Sequence, residues 1–393
     1  GQLPAIASKK ALAVLGPAGS GKSTAVQVAM ARALQADARV IVACPTRILA
    51  ASYKQKFPGL DVDSIHAAFG LFKPEQQTLD VMSTFDLIII EEVGQISSET
   101  FERLMRLWDA SGRRPCLVFC GDFAQLRGVE PTRASDSWRW SREVQIYRLK
   151  IMRRCKCEEL KWKLELLRTA KPDITQLKKI KKGHKAPYLV HRTDYKMNDV
   201  PTDEEIKWVF HETPNTTFVT ISRAAAAWVN DMAVQHFFGN KIPLATVSTD
   251  PEANPTNYEG TQRVWNEPMQ MPVHAGLRIM LTKNVCKETD FVNGMGGTVL
   301  GVHASGVRVQ TDTEFIVVVY PWTDEDHNVY MPMRVGYANT LMKLQGATLD
   351  HLTLYLDVPN VEAAGYVALS RVQYDKNWRF VGDPTVHHFT PAS

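Results

Sequence analysis

The chain has 393 residues, a formal net charge of +4, 45% hydrophobic and 22% charged residues, the composition of an ordinary soluble protein with material for two or three domains. Six cysteines are too few for a disulfide scaffold, no apolar run approaches the length that spans a bilayer, and no signal peptide opens the chain. Free thiols, an intracellular location (nuclear, mitochondrial or cytoplasmic) and no membrane partner are therefore expected, and the mildly basic balance permits a polyanionic partner without requiring one.

The segment KKALAVLGPAGSGKSTAVQVAMARALQ, residues 9–35, predicts a strand, a glycine loop and a helix. ARVIVACPT predicts a second strand ending in a turn, FDLIIIEE a third closed by two carboxylates, and RRPCLVFCGD a fourth ending in Gly-Asp. SSETFERLMRLWDAS is one of the helical patterns between them. Short, continuously apolar strands alternating with helices predict a parallel sheet covered on both faces. Polar residues gather at the carboxyl ends of the strands, where open α/β sheets bind ligands.

A second α/β pattern is expected from about Val144 and includes the amphipathic EELKWKLELLRTA and the strand–helix pair TTFVTISRAAAAWVNDMAVQHFFG. From Thr261 to Gly336 the texture turns β-branched and glycine-rich, predicting a small antiparallel barrel. Helix and strand patterns return in ANTLMKLQGATLDHLTLYLDV and VEAAGYVALSRV. The expected organisation is a first α/β domain over 1–147, with a short insertion near 69–84. A second covers 148–260 and 336–393 and is interrupted by the barrel at 261–335. The basic run KKIKKGHK reads as a solvated helix end or loop, with a phosphate patch or a nuclear localisation signal as sharper alternatives.

Gly16, Pro17, Ala18, Gly19, Ser20, Gly21, Lys22 and Ser23 fit the pattern G-x-x-x-x-G-K-[ST] in full, with Thr24 following. Backbone N–H groups of such a loop curl around phosphates, Lys22 supplies charge to the β and γ phosphates, and Ser23 offers a hydroxyl to Mg²⁺. ATP and Mg²⁺ are the expected ligands. Glu91 and Glu92 end an apolar strand downstream. One carboxylate, assigned to Glu91, would hold the metal, and the other would orient or deprotonate the attacking water. Gln125, in CGDFAQL, stands where an amide can sense the γ-phosphate and help place that water.

Nine stretches, those of the phosphate site among them, occur in an order that resembles the superfamily-one helicases of the RecD-like and petite-integration-frequency (Pif) group. They are GPAGSGKST, CPTRILAA, SIHAAFG, IIIEEVGQIS, GDFAQLRGVEP, IMRRCKCEELKWKLELLRTAKP, GLRIMLTKNVCKETDFVNGMGGTV, NTLMKLQGATLD and GYVALSRV. The resemblance implies two RecA-like parallel-sheet domains with an SH3-like barrel inserted in the second. It makes Arg154 the first arginine finger, with Arg153 as fallback, and Arg371 the second. It places Gly346, beside Gln345, near the γ-phosphate, and Gln2 as an adenine-reading glutamine. It lays a nucleic-acid path over Pro45, Thr46, His66 and Phe123 in the first domain and Lys343 and Thr348 in the second. For His66 the competing reading is a buried structural histidine, and for Phe123 a core aromatic.

The implied activity is a monomeric ATP-dependent DNA helicase moving 5′ to 3′ on single strands and opening forked or tailed duplexes, in DNA repair or recombination. A viral-type RNA helicase and a nucleotide-switched clamp without unwinding are the alternatives. Three positions depart from the pattern. Glu91 stands where the family usually has Asp, Met342 where it has His, and RGVEP, with Arg127, where it has a proline pair.

Overall fold

Val40, Val42 and Cys44 pack on one side of a sheet while Ile41 and Ala43 pack on the other, and the same alternation repeats with Leu87 and Ile89 against Ile88 and Ile90. Successive strand side chains point to opposite faces, so these runs are apolar throughout because both faces are covered. The computed structural model describes residues 9–17, 20, 22–126, 131–150, 157–186, 200–260, 262–344 and 348–393, and leaves aside the side chains of residues 23, 24, 52, 55 and 56. The chain divides into two compact units, Gly1–Thr169 with Pro391–Ser393, and Ala170–Thr390.

The first unit holds six strands. They are β1 (Ala11–Leu15), β2 (Val40–Cys44), β3 (Asp61–Ser64), β4 (Leu87–Ile90), β5 (Cys116–Gly121) and β6 (Val144–Arg148). They form one wholly parallel sheet in the order β3-β2-β4-β5-β1-β6. Helices α1 (Lys22–Gln35), α2 (Arg47–Lys56), α3 (Ile65–Phe69), α4 (Ser98–Ala110), α5 (Trp138–Glu143) and α6 (Glu158–Thr169) connect or follow them. On one face α4 buries Phe101, Leu104, Met105, Leu107 and Trp108. On the other, Val26 and Met30 of α1 cover the strands.

Two expectations shift here. Val144 does not open the second α/β pattern, because its strand pairs with β1 as the sixth strand of the first sheet. Residues 148–169, expected with the second domain, fall in the first unit. The short insertion near 69–84 forms two 3₁₀ turns, Glu75–Gln77 and Val81–Thr84. Arg103 holds it by donating to the Lys73 carbonyl at 2.7 Å, and Arg106 by pairing with Glu75 at 2.7 Å. Phe72 is left 72% exposed at its tip.

The second unit opens with α7 (Ile174–Lys181) and α8 (Asp203–Glu212), then β7 (Thr217–Thr220), α9 (Arg223–Phe238) and β8 (Ala245–Thr249). After the small hairpin β9 (Tyr258–Glu259) and β10 (Gln262–Arg263), β11 (Met269–Val273) pairs with β8. An antiparallel five-stranded sheet follows, built from β12 (Arg278–Leu281), β13 (Gly296–His303), β14 (Gly306–Thr311), β15 (Ile316–Val319) and β18 (Met333–Val335). The ribbon β16 (Trp322–Thr323) and β17 (Val329–Tyr330) precedes its last strand. The chain then returns to the parallel sheet β19-β7-β20-β21, through β19 (Ala338–Thr340), β20 (Leu352–Tyr355), α10 (Ala364–Leu369) and β21 (Trp378–Phe380). The fold is thus two parallel-sheet α/β domains with a small antiparallel β domain inserted in the second.

The basic run begins in the last turn of α7, where Lys178 and Lys179 are exposed as a solvated helix end should be, and continues past it to an exposed Lys182 and a buried His184. Cys44, Cys116, Cys120, Cys157 and Cys286 are free thiols. No helix among the described residues is long and apolar enough to cross a membrane.

Candidate functional site

The phosphate loop leaves the carboxyl end of β1 and runs into α1. Gly16 is required by packing, since a Cβ there would lie 2.6 Å from the Leu149 carbonyl oxygen and 2.7 Å from the Ser20 hydroxyl. Its N–H donates to the Gly121 carbonyl at 3.1 Å, which ties the loop to the end of β5. Lys22 folds back over the loop and donates to the Gly16 and Pro17 carbonyls at 2.6 and 2.8 Å. Its ammonium is therefore held over the loop rather than extended into solvent. Ala18, Gly19 and Gly21 lie outside the described residues, as do the side chains of Ser23 and Thr24.

Glu91 continues β4, its N–H donating to the Ala43 carbonyl at 2.9 Å. Glu92 then turns the chain sharply, with a φ of 53° in the left-handed region that non-glycine residues seldom adopt. The turn packs directly on the end of β5. A Cβ on Gly94 would lie 2.7 Å from the Asp122 carbonyl oxygen, and one on Gly121 would lie 2.9 Å from the Val93 nitrogen. Small residues thus let the two motif-bearing strand ends lie side by side.

The electrostatics of Glu91 follow from this crowding. The residue keeps some exposed surface, but its Oε1 is sealed from solvent and has no hydrogen-bond partner among the described residues. Burial, and then the neighbouring Glu92 charge, push its carboxyl up to about 7, while the Lys22 ammonium pulls the other way. Burial, followed by the Glu91 charge, also pushes up the Tyr53 hydroxyl and the Cys44 and Cys120 thiols around it. These groups stay neutral, so the thiols are not nucleophiles. A buried, unpartnered carboxylate oxygen beside a phosphate loop suits a hard divalent cation, which would supply Lewis-acid stabilisation of phosphoryl oxygens. Among the described residues no group of three or more His, Cys, Asp or Glu could hold a metal alone.

Gln125 is buried, 7% exposed, and its N–H donates to the Asp122 carbonyl at 3.3 Å. Asp122 is the acid of the Gly-Asp that ends β5, and the sequence gives it no partner. Its side chain has no exposed surface, accepts from the Ala124 N–H at 3.0 Å, and pairs with Arg168 of α6 at 2.9 Å. The signal was the Gly-Asp at the end of β5, a carboxylate in an otherwise apolar strand context.

The strand-path candidates divide. Thr46 caps α2, accepting from the Leu49 N–H at 3.3 Å, beside a half-buried Pro45. His66 is exposed on α3, so the buried structural reading is set aside. Both helices begin at the carboxyl edge of the sheet. Phe123 fits the core reading better. It is half-buried, its ring lies 5.3 Å from that of Trp140, and it packs on the main apolar cluster. In the second unit Lys343 pairs with Glu252 at 3.0 Å, and Thr348 is exposed. Arg371 is 6% exposed and turns back on its own helix, donating from Nε to the Val367 carbonyl at 3.1 Å and from Nη2 to Ser370 Oγ at 3.0 Å. Gln2, Arg127, Arg153, Arg154, Gln345 and Gly346 lie outside the described residues.

An AAA-domain family model matches residues 3–186. The ATP-dependent DNA helicase PIF1 of Rattus norvegicus is 24% identical over 323 residues, covering 76% of this chain and 47% of the relative. The Homo sapiens protein of the same name is 23% identical over 336 residues, covering 77% and 48%. The crystal structure of Pif1 helicase from Bacteroides in complex with ADP-AlF3 and ssDNA superposes with a TM-score of 0.69 at 17% identity, covering 97% of this chain and 90% of that one. In sequence the chain is similar to these PIF1 helicases, and it shares the fold of the Bacteroides structure. Pif1 helicase from Candida albicans likewise matches with a TM-score of 0.64 at 20% identity, covering 98% and 93%. The Pif1-like fold therefore extends over nearly all of this chain, although the chain spans about half the length of the curated relatives it matches.

Proposed function

We propose that the chain is the motor core of an ATP-dependent DNA helicase that moves 5′ to 3′ along single-stranded DNA and opens forked or tailed duplexes. The observation that carries the reading is the meeting of Lys22, Glu91 and Gly121 at the carboxyl edge of one parallel sheet. There a fixed ammonium, a sealed carboxylate and the Gln125 loop follow directly from adjacent strands. That arrangement suits Mg²⁺-assisted phosphoryl transfer to water, with Glu92 orienting the nucleophile and Gln125 sensing the γ-phosphate. The DNA substrate and the direction rest on the resemblance to the Pif1-like group. Arg154, Arg371, Gly346 and Gln2 would complete the nucleotide site. Pro45, Thr46, His66, Lys343 and Thr348 would contact the strand by backbone, hydroxyl and cation contacts to phosphate, which carry no sequence preference.

The test compares unwinding of duplexes with a 5′ tail and a 3′ tail, each as DNA and as RNA, alongside ATPase with and without single strands. Efficient opening of 5′-tailed DNA alone, with strand-stimulated ATPase, is the expected result. Preference for 3′ tails or for RNA would replace this reading. Stimulated hydrolysis with no opening of any duplex would indicate a translocase or clamp.

A further inference from the structure

Three cations of the second unit gather around one carboxylate. Arg223 opens α9 just after β7, and Lys343 lies in the 3₁₀ turn just after β19. The two strands are parallel neighbours, so both cations stand at the carboxyl edge of the sheet. Lys343 Nζ lies 3.0 Å from Glu252 Oε1, and about a third of each side chain is exposed to water. The Arg223 guanidinium lies 4.2 Å over the ring of Tyr258, whose hydroxyl donates to the Glu252 carbonyl at 3.1 Å. Arg334 of β18 donates to the Asn339 side chain at 3.1 Å. Neither arginine has an ion-pair partner among the described residues. The other acid nearby, Asp250, is engaged by Thr282 at 2.6 Å and by Lys283 at 3.6 Å. Burial alone would raise the Glu252 carboxyl, but Lys343, Arg334 and Arg223 together hold it below the usual range.

A water-reached carboxylate ringed by more cations than it can neutralise has the charge and position of a nucleic-acid phosphate. We propose that Glu252 is a built-in stand-in for a strand phosphate, pairing with Lys343 and offsetting the charge of Arg223 and Arg334 between binding events, and so limiting how tightly this unit holds the strand. The idea rests on the reading of the chain as a DNA motor. A phosphate reaching this cluster must displace an existing ion pair, so most of the attraction is exchanged rather than gained. A motor that grips and releases at each step benefits from that limit.

Labelled oligo(dT), titrated by fluorescence anisotropy across a salt series, tests this with wild type, Glu252→Gln, Glu252→Asp, Lys343→Ala and the Glu252→Gln/Lys343→Ala double variant. Glu252→Gln should bind about 2–5-fold tighter at low salt. Its log affinity should fall more steeply with log salt, by up to about 0.7 for one added phosphate contact. Glu252→Asp, which keeps the charge but shortens its reach, should gain less. In the Lys343→Ala background most of the Glu252→Gln gain should vanish, because the coupling runs through that pair. Unchanged or weaker binding by Glu252→Gln and Glu252→Asp, with wild-type binding normal, overturns this inference alone. A wild-type chain with no salt-dependent oligo(dT) binding overturns the motor reading and this inference together.

Discussion

Asp122 and Arg168 form an ion pair whose acid has no exposed surface and whose guanidinium reaches it at 2.9 Å through Nη2 and 3.4 Å through Nε. It joins the loop that carries Gln125 to the last turn of α6, just before the chain passes into the second unit. Desolvating a carboxylate is tolerable only while its partners remain. Arg168→Ala should therefore destabilise the first unit by about 3 kcal/mol, read as a lower denaturation midpoint. Arg168→Lys should lose less, since it keeps the charge but not the fork. A loss for Arg168→Ala below about 1 kcal/mol would show that the pair is worth no more than a surface contact.

The legible part of this fold was the part written in local chemistry. The run LIII before Glu91 forms a strand, and a helix opens at Lys22, both where the sequence expects them. The ownership of Val144–Arg148 was not legible, because a short alternating strand does not say which sheet it joins; pairing with β1 decides it. The role of Asp122 was hidden for a similar reason. Its partner lies 46 positions later on a helix whose own pattern showed only amphipathicity. The Glu252 cluster was equally invisible, since its cations come from α9, β18 and the turn after β19. Phe123 stood beside a motif, yet packing against Trp140 accounts for it better than a strand does.

Lys22→Ala removes the ammonium that bridges the Gly16 and Pro17 carbonyls. ATP affinity should fall and turnover should collapse, while the melting temperature moves little because the side chain lies at a half-exposed rim. DNA-stimulated ATPase near the wild-type level in a folded Lys22→Ala chain would remove the loop from the mechanism.

Glu91 gives the stability a pH dependence of definite sign. Its folded value of about 7 lies above the usual carboxylate value, so the folded chain keeps a proton that the unfolded chain has released. The stabilisation is fully present below the unfolded value of roughly 4.3 and is lost as pH rises through about 7. With no nucleotide or metal added, Glu91→Gln should flatten that loss. It should make the chain more stable than wild type at pH 8, by an amount on the order of 1–3 kcal/mol. The same variant should lose Mg²⁺-dependent turnover. Parallel stability curves for the two proteins from pH 5 to about 8 would mean that Glu91 is already ionised in the folded state.

Arg371 separates a chemical role from a structural one. Its guanidinium is buried against the end of α10, bonded to the Val367 carbonyl and Ser370 Oγ, and its own carbonyl accepts from the Leu349 N–H at 2.7 Å. The helix itself is fixed elsewhere: Gly365 is pressed so closely on Phe389 that a Cβ would meet the ring at 2.2 Å. Losing the Arg371 side chain therefore removes its bonds to Val367 and Ser370 but not the packing that holds α10. The stability cost should stay near 1–2 kcal/mol. A guanidinium that stabilises the γ-phosphate in the transition state is worth far more to the rate, about 10³-fold or above. Arg371→Ala should thus bind nucleotide and single strands nearly as wild type, and melt only slightly lower, yet lose nearly all strand-stimulated ATPase. Melting and turnover measured on the same preparation decide it. A large drop in melting temperature with activity retained by the folded fraction would make Arg371 a helix-end cap and nothing more.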